Sequence, residues 1–509
     1  MSKLSLNVVA NLLGRAWPSL LSILFVPLYL KFMGIEAYGL IGFFATLQGV
    51  LGLLDLGIGS TMTRELARLS ASEDSAARQR NLVRTLEVLY WLIAALSGVA
   101  VICVAPLIAG YWVKSQELNT ELVVAAVRIM GIAVALQFPF SLYQGGLMGL
   151  QRQVLVNMVL AVVGTLRAGG SVLVLWLVSP SITSFMAWQV ISGAVGSITC
   201  MILLWHSLPR YKERAVFSRS ILKDVWKYAA AISANALIGV VLTQLDKVIL
   251  SKMLSLKMFG YYSLASTVAS AVWMLIIPLN NAVFPRFVQL YEHRNENELA
   301  RLLHSSSQYL SLLMLPIAAV LSVFSREILL LWTHDAVVAE NCRYIVTLLV
   351  IGTTINGMCS IPAYAASAFG WPQLITATNM LQAIIIVPLI VGLTYYWQGA
   401  GAALAWVAIN CTYLFFMLPR FFRKYLVQER NNWYFRDELL PAALAFFIGM
   451  CSLALMRKNA FSMAPLLHLV ATWAIVIVAV GSMLSHVRST AKGKLCQFGE
   501  LKAKKEYWL

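Results

Sequence analysis

The run Val154-Leu-Val-Asn-Met-Val-Leu-Ala-Val-Val-Gly-Thr-Leu-Arg167-Ala-Gly-Gly-Ser-Val-Leu-Val-Leu-Trp-Leu-Val178 carries a single charge, Arg167. As a helix rising ~1.5 Å per residue, it is long enough to cross a bilayer core of ~30 Å. Arg167 then lies ~20 Å from the start of the run, near the midplane. A guanidinium there costs at least ~2.5–3.5 kcal/mol on insertion scales, so it should face the protein interior, a partner or a water-filled path. An anion is the first ligand class it implies.

Similar runs recur along the whole chain of 509 residues, which is 60% hydrophobic and 12% charged, with a mean hydropathy of +0.76. Soluble proteins average about 25% charged residues. The chain reads as an all-α polytopic membrane protein with about fourteen transmembrane helices. Twelve are expected near 8–31, 38–59, 85–112, 121–143, 154–178, 184–205, 228–251, 260–282, 305–331, 341–363, 374–396 and 400–419. Two more are expected at 439–456 and 465–486. The N-terminal run contains Arg15 and Pro18 and lacks an Ala-x-Ala site, so it reads as an uncleaved first span.

The net charge of +17 would suggest nucleic acid in a soluble protein. Here Lys and Arg concentrate in every second loop, 26 against 6 in the alternate set. That is the positive-inside pattern, and it places both termini in the cytoplasm. No basic-aromatic domain exists to bind nucleic acid. The outer loops are short, and no soluble stretch is large enough to fold as an enzyme.

Enzyme and cofactor signatures are missing. Gly493-Lys494 is followed by Leu495, not Ser or Thr, so there is no P-loop. The six histidines form no HxxxH or HExxH pattern, and the seven cysteines form no CxxC. Neither a metal nor another cofactor is expected.

An internal repeat sets the architecture. Lys31-Phe-Met-Gly-Ile-Glu-Ala-Tyr-Gly39-Leu40 aligns with Lys252-Met-Leu-Ser-Leu-Lys-Met-Phe-Gly260-Tyr261, offset by 221 residues. An even number of spans separates them, so the halves run parallel. The expectation is two parallel six-helix bundles around a central cavity, plus two C-terminal helices. The corresponding divisions are 1–205 and 228–419 for the bundles, with a cytoplasmic linker at 206–227. A cytoplasmic loop at 420–438, helices 13 and 14 within 439–486, and a basic cytoplasmic tail at 487–509 complete the chain.

The candidate site is cationic. Asn7, Asn11, Arg15, Ser19 and Ser22 form a polar stripe on one face of the first helix. Arg15, Arg128, Arg167 and Lys247 are the candidate anion contacts. Against them stand only Asp55 and Asp246, candidates for ion pairing or for coupling to a proton or sodium ion. Asn11, Ser19, Gln48, Asn235 and Gln244 are the candidate polar lining. Structural alternatives exist for each: Arg15 and Lys247 can snorkel, and Arg167 can bond carbonyls of a neighbouring helix.

Four stretches carry a resemblance. They are Phe32-Met-Gly-Ile-Glu-Ala-Tyr-Gly39-Leu40; Leu54-Asp-Leu-Gly-Ile58 with Arg64-Glu-Leu-Ala67; Leu245-Asp-Lys-Val-Ile-Leu250 with Phe259-Gly-Tyr-Tyr-Ser-Leu-Ala265; and Phe284-Pro-Arg286. In order and spacing the chain resembles the polysaccharide flippases of the multidrug/oligosaccharidyl-lipid/polysaccharide (MOP) exporter superfamily. One departure is Lys257, where the second turn of the family usually has an acidic residue. The resemblance implies an O-antigen-type flippase of the bacterial inner membrane. Its substrate would be a polyprenyl-pyrophosphate-linked oligosaccharide, and its partners would be membrane lipids and polysaccharide polymerase machinery. A peptidoglycan lipid-precursor flippase and a multidrug or cation exporter are the alternatives.

Overall fold

The computed structural model describes residues 17–72 apart from 19, then 75–225, 244–458, and 464–489 apart from 486 and 488. The described chain is almost entirely helical. Eleven of its helical segments are long and apolar enough to cross a membrane. The beginning of the expected first span and most of the expected seventh lie outside the described residues, and so do Asn11, Arg15, Ser19 and Asn235.

The helices used below are α1 (Val26–Leu51), α2 (Ile58–Ser70), α3 (Ala76–Leu107), α4 (Thr120–Gln137), α5 (Pro139–Gly149), α6 (Gln153–Leu177), α7 (Ile182–Ser207), α8 (Leu256–Glu292), α9 (Glu296–Val323), α10 (Ser325–Thr333), α11 (Ala336–Ala368), α12 (Pro372–Thr412), α13 (Leu418–Lys424), α14 (Leu440–Arg457) and α15 (Pro465–Met483). Residues 244–253 are also helical.

Two differences from the sequence reading have plain causes. The turn expected between the first two spans contracts to Gly34, whose φ of +77° breaks the helix within α1. Only glycine adopts that backbone without strain. The spans expected at 374–396 and 400–419 run together in α12, interrupted at Trp397 and Gln398. Stretches read as loops are largely helical extensions. One is α2, which turns Met62, Leu66 and Leu69 inward and leaves Arg68 exposed.

The chain divides into two compact units, Met1–Leu264 and Ala265–Leu509, with the division inside α8. In the first unit α3 packs on α4, α4 on α7, α6 on α7 and α2 on α5. Ile58, Leu66, Tyr90, Leu142, Leu147 and Cys200 belong to its buried core. In the second unit α11 packs on α12 and α9, and α14 packs on α15 and α9. A ring cluster at one end joins Tyr291, Phe369, Phe421 and Tyr425, with Tyr291 stacked on Phe369 at 4.8 Å.

Within the first unit the two repeated turns meet. A Cβ on Gly39 would lie 2.3 Å from the Leu256 carbonyl oxygen, and one on Gly260 would lie 2.4 Å from the Ile35 carbonyl oxygen. The repeat offset converts each contact into the other, so the two segments are related by a local two-fold. Gly42 and Ser263, one offset apart, also face each other: a Cβ on Gly42 would lie 2.2 Å from the Ser263 hydroxyl.

The charged residues of these turns are structural clamps. Glu36 is buried and accepts the backbone N–H groups of Gln116 (2.6 Å) and Glu117 (2.7 Å). Its counterpart Lys257 instead pairs with the Glu117 carboxylate at 2.7 Å. Both repeats therefore grip the 114–117 loop, one through carboxylate and backbone, the other through an ion pair. The substitution of lysine for an acid in the second turn has this partner as its physical reason.

Candidate functional site in the first unit

Arg167 sits on α6, the helix that the opening sequence run becomes. One turn before and after it, Val163 and Ser171 are buried, so this face of α6 is turned inward. Arg167 itself is half-buried. Its Nε is buried without a hydrogen-bond partner, and among the described residues its guanidinium makes no ion pair.

The backbone beneath Arg167 is tied down. Trp188 of α7 donates its indole N–H to the Leu166 carbonyl (3.0 Å). Ser171 donates to the Arg167 carbonyl (2.6 Å), and Tyr29 of α1 donates to the Ala168 carbonyl (2.9 Å). Three successive carbonyls thus receive side-chain donors, two from neighbouring helices α7 and α1 and one from the next turn of α6 itself. Gly170 makes this packing work, since a Cβ there would lie 2.3 Å from the Trp188 ring.

A chain of amides leads from α1 to this point. Gln48 donates through Nε2 to Oε1 of Gln137. Gln137 donates to the Gln189 carbonyl (3.1 Å), and Gln189 donates to the Ser171 hydroxyl (3.2 Å). Gln244 lies against α1 beside Gln48, because a Cβ on Gly49 would stand 2.6 Å from its Cδ. Gln48 on α1 and Gln244 on the 244–253 helix are therefore neighbours. Gln137, Gln189 and Tyr29 were not among the sequence candidates. For the two glutamines a signal was available: lone amides inside apolar runs, which membranes disfavour unless they are paired.

Asp55 ends the short helical turn Gly52–Asp55 and is followed by two residues of left-handed backbone, Leu56 and Gly57. Tyr90 donates its hydroxyl to Asp55 Oδ1, and Ser141 does so at 3.4 Å. Arg15, its expected partner, lies outside the described residues.

Asp246 accepts the Tyr262 hydroxyl at 2.9 Å, while its Oδ1 is buried and unpartnered. Lys247 is half-buried and makes no ion pair within 4 Å among the described residues. Arg128 is exposed on α4, on the same side as exposed Ile132 and away from buried Val127 and Met130.

Another interior acid was missed. Glu87 of α3 is buried, where Tyr143 (2.8 Å), Trp205 (3.3 Å) and Arg84 (2.9 Å) satisfy it. This fully paired carboxylate is a packing element of the first unit. Arg167 stands out by contrast as a cation whose buried Nε has no partner among the described residues.

A family model described as polysaccharide biosynthesis protein matches residues 4–291. One described as MatE matches residues 231–391. A Shigella flexneri protein described as an O-antigen transporter is 20% identical over 406 residues, spanning 79% of this chain and 93% of that protein. Among solved structures, lipid II flippase MurJ in an inward closed conformation is similar with a TM-score of 0.71 at 14% identity. That match covers 94% of this chain and 98% of the other. An inward-facing multidrug resistance MATE family transporter of the MOP superfamily gives a TM-score of 0.60 at 13% identity, covering 88% of this chain and 99% of that one. These likenesses establish the transporter fold.

Proposed function

The chain belongs to the family of polysaccharide biosynthesis proteins, and we propose that it is a flippase for a polyprenyl-pyrophosphate-linked oligosaccharide. The cargo is an O-antigen or related surface-polysaccharide repeat unit, moved from the inner to the outer leaflet of the bacterial inner membrane by alternating access. Both termini face the cytoplasm.

One observation carries the choice of an anionic cargo. Arg167 is a half-buried guanidinium in mid-span whose Nε has no partner. A pyrophosphate offers several charged oxygens that the planar guanidinium fork can engage two at a time. Arg15, Arg128 and Lys247 are further cations for the path of the headgroup. The amides of Gln48, Gln137 and Gln189 suit sugar hydroxyls. An inside-negative potential favours outward movement of an anion by ~2.3 kcal/mol per charge per 100 mV.

A peptidoglycan lipid-precursor flippase shares this anchor chemistry, and the fold likeness to the lipid II flippase favours it as the second reading. The MatE match to residues 231–391 keeps a multidrug or cation exporter as a third. Complementation separates them. Restored surface polysaccharide in a strain lacking its O-antigen flippase, with no rescue of peptidoglycan-flippase depletion and no drug resistance, supports the proposal. The reverse pattern overturns it.

A further inference from the structure

A second cluster of ionisable groups lies in the second unit, where neither the composition nor the family motifs pointed. Residues Trp433–Leu439 form a wide π-helical turn leading into α14. It turns two consecutive acids inward, and Asp437 and Glu438 are each only 1% exposed. Against them stands α9. His304 bonds Asp437 Oδ2 through Nδ1, and it bonds Glu429 at 3.0 Å through Nε2. Gln308 donates to Asp437 Oδ1 at 2.7 Å, and Ser311 donates to Glu438 Oε2 at 2.8 Å. Trp433 donates to Ser307 at 2.8 Å.

Charge counting leaves one group over. Among the described residues no Lys or Arg pairs with Asp437 or Glu438, since Arg301 is engaged by Glu298 and Arg430 lies over Tyr434. His304 can balance Asp437, with Glu429 at its other nitrogen. Glu438 then has only the Ser311 hydroxyl, and its Oε1 is buried with no partner at all. The other titratable groups that face it are Asp437 and, on α11, Cys359, which is in turn neighboured by Cys411, Tyr413 and Tyr434; none of these is cationic. A carboxylate so placed is stable only with a bound positive charge, and the smallest is a proton. Among the described residues, His, Cys, Asp and Glu side chains form no group that could hold a metal ion.

Side-chain exposure falls along the chain, from 32% at Glu429 through 13% at His304 to 2% at Asp437. The chain starts at the Lys- and Arg-rich end of these helices and ends beside the orphan oxygen. We propose that Glu438 is a proton-binding site, loaded through Glu429, His304 and Asp437, whose protonation is coupled to cargo movement. Loading adds one proton from solvent at the Glu429 end to the Glu438 carboxylate, and release during the cargo step delivers it to solvent on the opposite side of the membrane. The acids are carried on a π-turn, a departure from the regular helix that is frequent at functional sites. The coupling rests on the flippase reading above; the proton site does not.

Two measurements on the purified full chain test the two parts separately. The first is an infrared difference spectrum between about pH 5 and pH 8, the range in which histidine-linked relays titrate. A protonated-carboxyl band should be present, vanish in E438Q and shift in E438D. A band unchanged in both variants overturns the proton site. The second uses proteoliposomes with a trapped pH dye and added lipid-linked oligosaccharide, with sodium replaced by choline. Wild type should move protons with cargo, and E438Q should cut proton movement by about tenfold or more while downhill flipping continues. Proton movement unchanged in E438Q, or coupling that requires sodium, overturns the coupling. If wild type flips no oligosaccharide, the flippase reading fails, and the infrared band still decides the site.

Discussion

Gly39 and Gly260 meet backbone to backbone, each standing where a side chain would strike the carbonyl one turn before the other. Because the contact is reciprocal, a methyl at either position forces the same two segments apart. We expect Gly39→Ala and Gly260→Ala each to destabilise by about 1–3 kcal/mol, the usual cost of overpacking. The double variant should fall short of additivity, since one displacement relieves both clashes. Thermal unfolding followed by size-exclusion fluorescence in detergent reads this out. Additive losses would show that the contacts are independent.

The Arg167 prediction concerns cargo. Removing hydrogen bonds to a charged group costs about 1.5–3 kcal/mol, so Arg167→Ala should weaken headgroup binding roughly 10- to 100-fold. Arg167→Lys should recover only part, because an ammonium lacks the fork. Binding of pyrophosphate-bearing lipid to folded protein is the measurement. Wild-type binding by Arg167→Ala would make the arginine structural.

Glu36 and Lys257 should behave differently despite their related positions. Glu36→Ala removes the carboxylate acceptor of two part-buried backbone N–H groups, at about 1–3 kcal/mol together. Lys257→Ala loses an exposed pair, so its effect on unfolding should be near the measurement error. Comparable losses from both would mean that the 114–117 loop is held mainly by the ion pair.

Tyr90→Phe removes the donor that Asp55 receives from α3. The expected loss is about 1–3 kcal/mol in unfolding, with Asp55→Asn milder because the amide still accepts from the tyrosine. If Asp55→Asn instead abolishes transport in a stable protein, the residue works as a coupling group.

Hydropathy made the spans legible, and Arg167 was legible because it is the lone charge in its run. Partners were harder to read. Gln137 and Gln189 each look isolated in sequence, and only packing of α4 on α7 joins them. His304 and Glu438 fell in or beside stretches read as loops, because hydropathy ends where charge begins. The helices continue past that point and carry acids inward on a face that an average over all faces conceals. Glu36 was legible as a motif, but its two backbone partners lie about eighty residues away.

The carbonyls of Leu166 and Ala168, tethered to α7 and α1, have a mechanical consequence. A helix pinned from two sides cannot roll about its axis without breaking at least one anchor. Arg167 is therefore a fixed electrode and not a swinging arm. The headgroup must travel to the charge, and conformational work during a cycle falls to other parts of the chain. A variant that frees Tyr29 or Trp188 would blur the position of that electrode. It should degrade discrimination among headgroups before it degrades flux.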